Sequence, residues 1–166
     1  TEPDVWLLGS SDYSGALASQ LGLRFAFAHF ISADAGESVM RDYKRNFQPS
    51  QRENQPHALL ARFVICAATD AEAERLAASI DLRRLNSDYG RNLPVPSQHE
   101  AENYRYDDAE KARVLYNRRR AILGAPDTVR ARLLALREKF DADELMVITI
   151  TGDYATRLES YRLIAA

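Results

Sequence analysis

The chain has 166 residues, and its 46% hydrophobic and 28% charged composition is that of a globular domain and not of a disordered segment. Its 22 basic residues against 24 acidic ones give a net charge of −2, which excludes a global basic field for nucleic acid or anionic membrane. The single cysteine, Cys66, excludes an internal disulfide and a cysteine-based zinc cluster.

Apolar runs such as Leu145-Met146-Val147-Ile148 are far too short to span a bilayer. Thr1-Glu2-Pro3-Asp4 carries no basic-then-apolar leader, so a cytoplasmic protein with neither nucleic acid nor membrane as partner is expected. The start at Thr1, with apolar residues in the first few positions, reads as a chain entered partway.

In chain order, Val5-Trp6-Leu7-Leu8 reads as a buried strand closed by the turn Gly9-Ser10-Ser11. Ser14 to Leu21 has Ala16, Leu17 and Leu21 at helical spacing, with Gly22 at the C-cap position. Phe25-Ala26-Phe27-Ala28 is a second buried strand, and Glu37–Phe47 a helix with Val39, Met40, Tyr43 and Phe47 on one stripe. After an irregular stretch around Pro49 and Pro56 comes a third strand, Arg62–Ala67. Thr69-Asp70-Ala71-Glu72 has capping-box spacing and opens a helix to about Leu85.

Ser87–Glu102, with Gly90, Pro94 and Pro96, reads as the longest loop. A helix carrying Ala109, Ala112, Leu115 and Tyr116 follows, and Gly124-Ala125-Pro126 starts another with Val129, Leu133, Leu136 and Phe140 as its buried stripe. Leu145–Ile150 is the fourth strand, and Tyr154–Ala165 closes the chain as a helix. Strand then helix, four times, with continuously apolar strands, is the pattern of an α/β fold with a parallel sheet. Four such units fit a small open sheet or half of an eight-stranded barrel, since a whole barrel takes about 250 residues.

Chemistry is concentrated in the first turn. Gly9-Ser10-Ser11-Asp12-Tyr13-Ser14 offers backbone N–H groups, hydroxyls and a helix N-terminus on the side of the strand where parallel α/β folds bind ligands. Two readings stand: an anion site for phosphate, or an ordinary serine-capped βα turn. His29, directly after the second strand, faces the same choice between a ligand-facing and a structural histidine. No hydrolase triad or helical His pair accompanies it, and no metal site is expected. Cys66 reads as a small buried hydrophobe, His57 and His99 as surface residues, and Arg118-Arg119-Arg120 as a solvated face, the net acidic balance arguing against nucleic-acid stacking on nearby Tyr104 and Tyr106.

Four segments together resemble the bacterial luciferase-like family of flavin-dependent monooxygenases. They are Val5-Trp6-Leu7-Leu8-Gly9-Ser10-Ser11 through Ala18, Leu21-Gly22-Leu23-Arg24-Phe25-Ala26-Phe27-Ala28-His29-Phe30, Tyr43 to Ser50 with Phe47-Gln48-Pro49-Ser50, and Gly124-Ala125-Pro126 through Asp143-Glu144-Leu145-Met146-Val147. The resemblance implies a (β/α)₈, or TIM, barrel of which residues 1–166 form a single partial domain, the C-terminal half with strands five to eight. It implies FMN, in some members a deazaflavin, with its phosphate on Ser10, Ser11 and Ser14, Gly9 allowing close approach and Tyr13 bordering the cofactor. His29 is then placed at the flavin or substrate pocket, and no catalytic acid or base is assigned. The implied activity is oxidation of a small organic substrate with reduced flavin and O₂, the reduced flavin coming from a reductase. Implied partners are the missing N-terminal barrel half or a second copy of the chain. The contrasting readings are a self-associating half-barrel that binds without redox activity, and a small flavodoxin-like domain.

Overall fold

The computed structural model describes residues 3–166; Thr1 and Glu2, at the head of the tetrapeptide read for a leader, lie outside the described residues. The elements are β1 (Trp6–Gly9), α1 (Asp12–Leu21), β2 (Arg24–Ala28), α2 (Gly36–Arg45), β3 (Ala58–Cys66), α3 (Asp70–Asp88), α4 (Gln98–Asn103), α5 (Asp108–Arg118), β4 (Ala121–Gly124), α6 (Pro126–Phe140), β5 (Glu144–Ile148) and α7 (Tyr154–Ala165). They divide into two compact units. The first runs up to Arg62 and includes Leu133–Val147, and the second comprises Phe63–Arg132 with Ile148–Ala166.

In the first unit β1 pairs with β2, and β2 with the first part of β3, all in parallel. Alternation along the strands gives two faces. Phe25, Phe27, Ala58 and Leu60 point into a core closed by Ala18 of α1, Val39, Met40 and Tyr43 of α2, and Phe140. Ala26, Leu59 and Ala61 point the other way, packed with Trp6 and Phe30. α1 ends at Gly22 in the left-handed region, φ 59°, as the sequence indicated. A side chain there would meet the Gln48 carbonyl at 2.5 Å.

Where the first unit's strands begin, the Tyr43 hydroxyl gathers three backbone groups. It donates toward the carbonyls of Leu23 at 2.9 Å and His57 at 3.2 Å, and accepts from the His57 N–H at 3.1 Å. Asp143 adds a carboxylate on the Ala58 N–H at 2.8 Å and pairs with Lys44.

In the second unit the later part of β3 pairs in parallel with β4, Val64 with Ile122 and Ile65 with Leu123. Ile65, Leu123 and Ile150 pack on Ala73, Leu76, Ala77 and Ile80 of α3. Two backbone groups of β3 are met by side chains: Ser160 accepts from the Cys66 N–H at 2.9 Å, and Thr149 donates to the Val64 carbonyl at 2.7 Å. Asp70, the first residue of α3, accepts from the Ala125 N–H at 2.7 Å and from the Thr128 hydroxyl at 3.3 Å, which caps the start of α6 from outside.

Several expectations change in detail. β4 is a fifth strand, unread because its four residues hold only two large apolar side chains between an arginine run and a Gly-Ala-Pro turn. β3 starts at Ala58, earlier than Arg62, because pairing with β2 recruits the Ala-Leu-Leu-Ala run. The loop expected over Ser87–Glu102 holds the end of α3 and all but the last residue of α4, whose capping box joins Ser97 and Glu100. α5 turns Leu115 outward, 73% exposed, and buries Asn117 instead. Arg118 is no solvated residue: it forks onto buried Asp81 at 2.7 and 2.9 Å and also pairs with Glu74. α5 is thus held to α3 by charge, with Arg113 on Asp88 at 2.6 Å and Asn117 on the same carboxylate at 2.7 Å.

Two predictions follow from these anchors. Tyr43→Phe leaves the His57 N–H without its acceptor and should cost about 1–3 kcal/mol in urea unfolding; a loss well under that range would mean the clasp is not structural. Asp88 is held below the ordinary carboxylate range, chiefly by its hydrogen bond from Arg113. A depressed folded value means its stabilisation is complete above about pH 4 and is lost as pH falls through that lower value. Asp88→Asn should therefore lower Tm at neutral pH and flatten the acid side of a Tm-versus-pH profile, whereas an unchanged acid limb would count against the pair.

Candidate functional site

The first turn is built as a reciprocal serine cap. Ser11 is the N-cap of α1 in extended conformation, φ −130° and ψ 163°. Its hydroxyl accepts from the Ser14 N–H at 3.3 Å, and the Ser14 hydroxyl accepts from the Ser11 N–H at 3.2 Å while donating to the Ser11 carbonyl at 2.7 Å. The two hydroxyl oxygens stand 3.3 Å apart. Ser14 folds back this far only because Gly9 has no side chain: a Cβ there would fall 2.3 Å from both Cβ and Oγ of Ser14.

The turn brings Gly9, Ser10, Ser11, Tyr13 and Ser14 together at the C-terminal end of β1, with Tyr13 73% exposed. The donor set fits a phosphate monoester, since exposed hydroxyls and helix N-terminal N–H groups stand where an anion is favoured. Their present bonds lie at the surface, so exchanging them for an anion costs little. Asp12 opposes it. Its carboxylate takes the Tyr13 N–H at 2.8 Å and lines a concavity of about 330 Å³ between α1 and α2 with Ala16, Ser19 and Val39. Sequence reading passed over Asp12 as part of the cap, although an acid in the first turn competes with any anionic ligand for the same dipole.

His29 follows β2 and is 4% exposed. The ring packs edge-on against Phe27 and Phe140, members of the helix-covered core, at centroid distances of 6.3 and 5.5 Å. Arg62 of β3 lies against the ring, its Nη1 2.5 Å from Nδ1 and 2.7 Å from Nε2. Burial pulls the Arg62 guanidinium down to about 10. Arg62 escaped the sequence reading; an arginine at the edge of an otherwise apolar strand was the available signal. Cys66 is buried, which pushes its thiol up and makes it a poor nucleophile. His57 is half-buried, 2.7 Å from Glu144, at the opposite end of the strands from the serine turn.

Comparison with known proteins now decides the family. The luciferase-like monooxygenase family matches residues 1–143. This chain belongs to that family. The Bacillus subtilis protein YwcH is 44% identical over 165 residues, which cover 99% of this chain and 50% of YwcH. The crystal structure of apo-MsnO8 is 34% identical with a TM-score of 0.88, covering 99% of this chain and 50% of that one. The oxygenating constituent of 3,6-diketocamphane monooxygenase from Pseudomonas putida, solved in complex with FMN, shares the fold with a TM-score of 0.60 at 21% identity over 98% of this chain and 47% of that one. The chain spans about half the length of the curated relatives it matches. The fold is thus that of a luciferase-like barrel half, α/β with parallel strands. Among the described residues no helix is long and apolar enough to cross a membrane.

The close approach at the turn gives a direct check. Gly9→Ala must push the Ser14 Cβ, not merely a rotatable hydroxyl, and should destabilise the chain by about 1–3 kcal/mol. Chemical denaturation would measure it, and a neutral effect would show that the turn relaxes freely.

Proposed function

We propose that the chain is part of an FMN-dependent luciferase-like monooxygenase or oxidoreductase, oxidising a small organic substrate with reduced flavin and O₂ in the cytoplasm. The observation that carries this reading is the exposed serine cap at the end of β1 in a chain of this family. Ser10, Ser11 and Ser14 would hold the FMN phosphate with hydroxyls and helix N–H groups, and Gly9 keeps the backbone low enough for it. FMN is preferred to a deazaflavin. Tyr13 would border the cofactor, and Asp12 would turn away or bring a cation with the phosphate. His29 enters the pocket through the turn it anchors, since its ring is buried. Reduced flavin, when bound, supplies the electrons that activate O₂. The protein's own contribution is to bind, orient and exclude water. A reductase supplies the reduced flavin, and residues 1–166, read as one partial domain, work with the barrel half they lack or with a second copy.

Titrating the chain with FMN and, separately, with riboflavin isolates the phosphate. FMN should bind at least about tenfold more tightly, and Ser10→Ala combined with Ser14→Ala should remove that advantage while leaving riboflavin unchanged. Equal affinity for the two flavins, or an FMN affinity indifferent to the substitutions, would remove the phosphate from this turn.

A further inference from the structure

The serine turn satisfies its own amides with two kinds of acceptor. The N–H groups of Ser11 and Ser14 go to each other's hydroxyls at 3.2 and 3.3 Å. The Tyr13 N–H, one of the amides at the head of α1 that no helix carbonyl can reach, goes to the Asp12 carboxylate at 2.8 Å. The Gly15 N–H then makes the first bond of the helix proper, to the Ser11 carbonyl at 3.2 Å. Asp12 and Tyr13 are both exposed.

The two acceptors differ in what they offer an incoming anion. A hydroxyl both accepts and donates, so Ser11 or Ser14 can release an amide and turn its own O–H to a phosphate oxygen. An ionised carboxylate only accepts. It has nothing to give a phosphate, and it brings a charge of the same sign into the first turn, where the helix dipole already favours it. Two anions so close repel, with only water and salt to screen them. Asp12 has to give up the Tyr13 N–H before a phosphate can take it.

A second position for the carboxylate lies beside the first. Asp12 lines the concavity between α1 and α2, where Gln20, Asn46 and Gln48 present carboxamides, whose N–H groups are donors to a carboxylate. Asp42 also lines it, but Arg45 holds the Asp42 Oδ1 at 2.7 Å. We propose that Asp12 is a built-in competitor for the phosphate: it caps the Tyr13 N–H in the ligand-free chain, swings toward the α1–α2 concavity when a phosphate arrives, and so sets how loosely the turn holds it. The proposal rests on the assignment of the FMN phosphate to this turn. Of the two responses open to Asp12, release and recruitment of a cation, the carboxamides beside it favour release.

Two substitutions test it. Asp12→Asn removes the charge and keeps an acceptor for the Tyr13 N–H; Asp12→Ala removes the charge and adds no donor that could bind phosphate by itself. With FMN and riboflavin titrated in parallel at low ionic strength, both variants should bind FMN about three- to tenfold more tightly than the wild type, and riboflavin equally well. The gain should fade toward about 1 M salt, where the screening length is about 3 Å. Without ligand, both variants should melt at a lower temperature, because the first turn loses a favourable carboxylate. A merely structural Asp12 would show that loss alone. A preference for FMN that Ser10→Ala with Ser14→Ala abolishes, but that the Asp12 variants leave unchanged or reduce, overturns this proposal and spares the phosphate assignment. No preference in the wild type or in either Asp12 variant overturns both, whereas a preference that appears only in the Asp12 variants supports both. Tighter wild-type FMN binding on addition of Mg²⁺, lost in the Asp12 variants, would assign Asp12 to a cation and overturn release.

Discussion

The C-terminal edge of the first unit's strands is set from its far end, by the phenol of Tyr43. By holding the Leu23 carbonyl and both backbone groups of His57, the hydroxyl makes β2 and β3 enter the sheet together. Register, once fixed at that end, is carried along a strand because slipping by one residue would turn every apolar side chain to the wrong face. The same register places His29 beside Arg62 where the two strands finish. Burial pushes the Tyr43 phenol up to about 12, so this clasp stays neutral and indifferent to pH across the physiological range.

The two ends of the strands obey different rules. At the entry end the polar groups around buried Tyr43 are part-buried and paired, and removing one partner strands another. At the serine turn the bonds are saturated as well, but they face water. Such bonds keep the helix start intact without a ligand and can be exchanged for a better acceptor at small cost. Bonds at that rim can be exchanged while the strands beneath keep their places.

Much of this was legible in the residues. The serine cap, the glycine C-cap at Gly22 and the buried stripes of α2 and α6 follow from spacing and from turn chemistry that act within one or two turns of chain. What could not be read depends on distant partners. The strand at Ala121–Gly124 exists because β3 offers an edge to pair with, not because four residues insist on it. Arg118 is drawn in to a half-buried position because buried Asp81 lies opposite on α3, and Leu115 is exposed because α5 docks through charge. His29 was visible as a residue of interest, but Arg62, which lies against its ring in the fold, is 33 positions away in the chain. Asp12 was missed for another reason: it is a good first-turn helix residue, and only the question of an anion makes it awkward.

Asp70 has one further consequence. By capping the N-terminus of α6 from the start of α3, it ties together the two ends of the excursion formed by the rest of α3, α4, α5 and β4. The way back into the sheet is thus pinned by one carboxylate at its own departure point. Lengthening a flexible connection costs only about 0.6 kcal/mol per doubling. The loops joining α3, α4, α5 and β4 are therefore free to grow or shrink while the strands on either side keep their places. A lineage could diversify the surface here without renegotiating the core.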